Sequence, residues 1–165
     1  MASELSDSDK DTLELLAKLG QHLPIANDLD LLVLKGHLLV EEQIVDFIKR
    51  KATNPEHIIS IQSTHIRILI AESLRELNSE PLLWAAVKSL NALRNKMAHN
   101  LEPPDFEEKV RTFVVEAENM NPEVIPSDSL DDELHMHLRF VIAAIIGEMF
   151  RLDPTPPPPH PPPSP

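Results

Sequence analysis

The stretch Pro81-Leu82-Leu83-Trp84-Ala85-Ala86-Val87-Lys88-Ser89-Leu90-Asn91-Ala92-Leu93-Arg94-Asn95-Lys96-Met97-Ala98-His99-Asn100 decides the fold class. Ser79-Glu80-Pro81 supplies a helix start, because the N–H that proline lacks would have no partner in the first turn. Leu83, Val87, Leu90 and Met97 then recur at helical spacing and make one apolar face. Arg94 falls on or beside that face, and Pro103-Pro104 stops the helix.

The same period runs through the chain, and no alternating Val/Ile/Thr run competes with it. Ser8 to Gly20 reads as a first helix with Leu13, Leu16 and Ala17 as its stripe. Asn27 or Asp28 caps a long second helix reaching about Ala52. Its first half, Leu31 to Val40, is apolar nearly all round, which places it at the centre of a bundle. Asn54-Pro55 opens a short helix or a connection. Ser63 caps a helix through Ile66, Ile70 and Leu74 that ends near Asn78. Asp105 with Glu108 forms a reciprocal cap for Phe106 to about Ala117. A polar loop over Asn119 to Asp128 precedes Ser129 and Asp132, which start a last helix from Asp131 to Leu152. The expectation is an all-α bundle of five or six helices over residues 8–152. Residues 1–7 read as a disordered N-terminus, and the proline-rich tail 153–165 as extended and solvated.

At 165 residues, 42% of them hydrophobic, the chain suits one domain with a compact core. Cysteine is absent, which removes disulfides and thiolate metal sites. The acidic Ser3 to Asp11 is unlike a secretory signal, and Phe140 to Phe150 is too short to span a bilayer. The expected location is therefore cytoplasmic, with no membrane contact. A formal charge of −12 opposes broad adhesion to nucleic acid. Between Ala85 and Leu101, however, the only charged residues are Lys88, Arg94 and Lys96, so this window is locally basic. One tryptophan and no tyrosine leave little material for a base-stacking platform.

Two readings of Leu93 to Asn100 stand side by side. In the first, His99 sits in a last helical turn, where a cation suits the dipole, and Asn100 ends the helix. In the second, Arg94 and His99 carry chemistry. A guanidinium among core positions must be paired or must face a cleft, and a histidine moves protons near neutral pH. Asn95 and His99, four apart, share a face. Arg94 and His99, five apart, point about 140° from each other on a regular helix. They converge only if the helix unwinds near Ala98 or if a second subunit brings its own copy.

The phrase Arg94-Asn95-Lys96-Met97-Ala98-His99 resembles the R-x4-6-H motif of the HEPN superfamily, including the polar residue after the arginine. The wider Leu93 to Asn100 is similar to the form in bacterial HEPN-like regulators, some related to the mannitol operon repressor. The likeness in helical layout covers roughly Asn27 to Ala117. It implies a helical bundle and a metal-independent endoribonuclease that works as a homodimer on RNA. It gives Arg94, Asn95 and His99 the catalytic roles and requires no cofactor or metal. It equally admits a non-catalytic regulator acting on a protein partner. The toxin branch with a tyrosine downstream of the histidine does not apply, because the chain has none.

Other candidates are weaker. Arg50 and His57 also fit the bare pattern, but Asn54-Pro55 lies between them. His37 and Glu41 share a helical face and suit a bundle seam better than a metal, since no third ligand accompanies them. Glu41 or Glu42 is placed to pair with Arg94 if their helices pack, and Gly36 would admit another helix backbone. His135 and His137, two apart, do not form a chelating pair.

Overall fold

The computed structural model describes residues 7–23, 28–75, 80–99, 105–119 and 133–152. Seven helices and no strands occur among them: α1 (Asp7–His22), α2 (Leu29–Lys51), α3 (Pro55–Ile59), α4 (Thr64–Ser73), α5 (Pro81–His99), α6 (Phe106–Glu118) and α7 (Leu134–Arg151). The bundle is all-α as expected. Its count exceeds five or six because Pro55 turns the Asn54 junction into a short helix of its own. Of the N-terminus expected to be disordered over 1–7, Asp7 already belongs to α1. Residues 1–6, the tail 153–165, Pro103-Pro104, nearly all of the Asn119–Asp128 loop and the Ser129–Asp132 cap lie outside the described residues.

Capping chemistry places several of the boundaries. Asp28 accepts a bond from the Leu31 N–H at 2.9 Å and starts α2. Ser63 does the same for α4 through the Ile66 N–H at 3.4 Å. The reciprocal cap expected at Asp105 and Glu108 does not form. Asp105 is left-handed (φ 59°), and its side chain accepts no capping bond. An N-cap side chain reaches the first turn from extended backbone, a geometry that the left-handed residue lacks. Glu108 turns instead toward Arg111.

α2 occupies the middle, packing on α3, α4, α5 and α7. Leu32, Val33, Ile44, Phe47 and Ile48 are buried along it, facing Leu83, Trp84, Val87 and Leu90 of α5 and Leu138, Ile142 and Ile145 of α7 in one core. Each such side chain removed from water contributes about 1.5–3 kcal/mol. α2 and α5 run antiparallel. The Phe47 and Trp84 rings meet edge to face at 5.9 Å, and His37 lies opposite Asn91 seven residues further along α5. α7 crosses α2 at Gly36, where an added Cβ would stand 2.5 Å from Ile142 Cδ1. The close approach expected at Gly36 is thus made by a side chain, not by a helix backbone.

α1 lies at the edge. Its stripe is not the expected one: Leu13 and Leu16 are exposed, while Leu15 and Leu19 pack on the core ahead of buried Leu23. The helix also runs past Gly20 to His22.

Candidate RNA-backbone site at the end of α5

α5 presents its buried face through Leu83, Val87 and Leu90, as its spacing predicts, and adds Trp84, Ala86, Asn91 and Leu93. Arg94 follows, half-buried, at the point where this face leaves the core; Met97 is also half-buried. The Arg94 guanidinium donates from Nη1 to Asn95 Oδ1 at 3.3 Å and has no carboxylate partner among the described residues. Asn95 and Lys96 are exposed. Of the three cations in the Ala85–Leu101 window, Lys88 is already paired with Glu72 at 2.8 Å. The local positive charge therefore reduces to Arg94 and Lys96.

The expected pairing of Arg94 with Glu41 or Glu42 does not occur, although α2 and α5 do pack. Glu41 is engaged by Arg67 and by the Thr64 hydroxyl at 2.9 Å. Glu42 is engaged by Lys18 of α1. Both acids are thus engaged by partners on α1 and α4, and neither pairs with Arg94.

α5 stays helical through Ala98 and closes at His99. The helix therefore does not unwind near Ala98 to bring positions 94 and 99 together. On this regular helix they diverge by about 140°. The His99 ring itself lies outside the described residues.

Beneath Arg94 is a polar cluster that the sequence only half reveals. His37, 4% exposed, places Nε2 3.1 Å from Asn91 Oδ1. With that oxygen as acceptor, Nε2 carries the proton. Nδ1 is then buried without a hydrogen-bond partner, 3.9 Å from Glu41 Oε2. Burial pushes the imidazole below its usual range. The Arg94 and Arg67 guanidiniums push the same way, against the Asn91 bond and the Glu41 charge. The spacing of His37 and Glu41 marked a seam. Asn91, one turn before Arg94 in an apolar stripe, and Arg67, between Ile66 and Ile68, were the further signals available.

The remaining candidates have local explanations. Arg50 and His57 are both exposed and separated by the break between α2 and α3. His137 is buried and holds Glu118 at 2.9 Å through Nδ1, tying α7 to α6 without engaging His135. Among the described residues no group of three or more histidines and acids is placed to hold a metal ion. None of the described helices is long and apolar enough to cross a membrane. Comparison of the chain with protein-family models, curated proteins and solved structures returned no match.

Proposed function

We propose that this chain is a HEPN-like cytoplasmic protein that binds RNA as a homodimer and cleaves it without a metal or cofactor. One observation carries the reading: a half-buried arginine at the end of α5 has an amide beside it and, among the described residues, no acid to neutralise it. Leaving such a group unpaired costs stability, and an anionic ligand would offset that cost. The motif around it supplies the remaining chemistry. His99 takes the proton of an RNA 2′-hydroxyl, or returns one to the departing 5′-oxygen. The 2′-oxygen attacks phosphorus, the bond to the 5′-oxygen breaks, and a 2′,3′-cyclic phosphate forms. Arg94 offsets charge growing on the phosphoryl oxygens. Asn95 orients His99 or bonds the phosphate. The divergence of positions 94 and 99 favours a site shared by two copies, with Arg94 of one subunit facing His99 of the other.

The test is incubation of purified protein with mixed RNA in chelator, beside Arg94→Ala and His99→Ala. Chelator-resistant cleavage ending in cyclic phosphate, lost in both variants, is the expected result. Equal inertness of all three proteins sinks the enzyme reading.

A second reading has its own support. Leu13 and Leu16 on α1, with Leu34 and Leu38 on α2, are between 40% and 57% exposed. Large exposed apolar side chains on two helices tied by the Lys18–Glu42 ion pair suit a protein partner. On that reading the chain is a non-catalytic regulator similar to mannitol-repressor-type proteins.

A further inference from the structure

We propose that His37 and Arg94 form one electrostatic unit at the seam of α2 and α5, in which an oxyanion held by Arg94 and a proton held by His37 each favour the other. The inference deepens the RNA reading by assigning the anion site a buried proton partner, and it rests on that reading for the identity of the natural anion.

The geometry is as follows. His37 Nε2 bonds Asn91 Oδ1, which fastens α5 to α2 one turn before Arg94. Arg94 emerges on the same side of α5 as Asn91, three residues on, and among the described residues bonds the neighbouring amide of Asn95 alone. The groups facing His37 come from each helix around it. α2 contributes Glu41, α4 contributes Arg67, and α5 contributes Asn91 and Arg94. α7 brings the apolar Ile142 against the adjoining Gly36. Two of these groups are cations, and one acid stands against them. That acid is already shared between Arg67 and Thr64.

Protonating His37 would place a hydrogen on Nδ1, the atom that now has no partner, and aim it at Glu41. The orphan would be satisfied, but a third positive charge would join the two guanidiniums already acting on the ring. In a poorly solvated seam that repulsion is weakly screened. An oxyanion on Arg94 cancels its share of the repulsion, so binding the anion makes the proton easier to hold. By linkage the proton must strengthen the anion by the same factor. Anion capture at Arg94 therefore tightens as the pH falls through the His37 titration. His37 acts through Arg94 and is a positioning residue.

The test reads the His37 imidazole by NMR, with its signal assigned by its loss in His37→Gln. Sodium sulfate is the probe, because its charge is constant over the range, and sodium chloride of equal ionic strength is the control. In the absence of sulfate, Arg94→Gln should raise the His37 midpoint, while Arg94→Lys, which keeps the charge, should leave it low. Sulfate should raise the midpoint in the wild type and not in Arg94→Gln. Sulfate affinity should be greater at acid than at neutral pH, on the order of fivefold at typical site–site couplings. Far-UV circular dichroism confirms that each variant is folded. A midpoint unmoved by Arg94→Gln, or a wild type indifferent to sulfate, overturns the proposal. Absence of RNA cleavage with the midpoint responding as described removes the nuclease reading and leaves the coupling in place.

Discussion

Gly36 and Gly147 are both helical glycines, yet a methyl group would act in opposite directions at them. At Gly36 the new Cβ would meet Ile142 at 2.5 Å (Cδ1), 2.9 Å (Cγ2) and 3.1 Å (Cγ1). Ile142 is fully buried and stiff at χ1, so it cannot swing clear. Overpacking of this kind costs about 1–3 kcal/mol, against a gain of about 1 kcal/mol from replacing glycine in a helix. Gly36→Ala should therefore lower stability in urea unfolding, and Ile142→Val should restore part of the loss. At Gly147 nothing lies within 4 Å, so Gly147→Ala should stabilise by about 0.5–1 kcal/mol. A Gly36→Ala protein as stable as the wild type would mean that α2 and α7 are not in close contact. Arg94 shows how far single residues were legible. Its interruption of a leucine stripe marked it as unusual, and it is half-buried with no acid beside it among the described residues. The spacing could not say that Glu41 would turn to Arg67, because that choice depends on where α4 packs.

Helix periodicity locates elements better than it orients them. In α5 only one face is apolar, and Leu83, Val87 and Leu90 are buried on it as read. α1 offers two overlapping stripes, Leu13–Leu16–Ala17 and Leu15–Leu19. The second is the one that packs, and it leads into buried Leu23 at the same four-residue interval. Sequence alone could not choose between them, because the choice is made by the core that Leu15 and Leu19 pack against. The consequence is an uneven distribution of stability. Leu90→Ala, in the middle of α5 and 0% exposed, should cost about 2–5 kcal/mol. Leu19→Ala, on the half-buried face of α1, should cost about 1 kcal/mol or less. Hydrogen exchange should also open α1 well before α2, α5 and α7. Equal losses at the two leucines would show α1 to be an integral part of the core. The start of α6 departs from its expected cap for a related reason. Asp105 and Glu108 have the right spacing, but the chain enters α6 left-handed, and residue identity does not reveal that backbone conformation.

Taken whole, the chain is strongly acidic, with a charge of −12, and the candidate site at the end of α5 offers a small cationic point in Arg94 and Lys96. An RNA bound there exchanges few counterions. On a single strand each neutralised phosphate contributes about −0.7 to the slope of log affinity against log salt. Fluorescence anisotropy with a labelled single-stranded RNA should then give a slope of about −1, for one or two phosphates. A slope steeper than about −4 would require a broad basic surface and a different binding face.

The amino-acid order alone determined that this protein is helical, where most helices lie and which long helix is central. These properties follow from local spacing, proline and cap residues, and they need no knowledge of neighbours. Tertiary packing alone decided which face of α1 is buried, which cation Glu41 neutralises, and that His37 sits under Arg94 with one ring nitrogen unpartnered. Those outcomes depend on the antiparallel register of α2 and α5 and on the position of α4. Side chains 23 to 54 residues apart in sequence meet there, and local sequence carries no record of which partners they find.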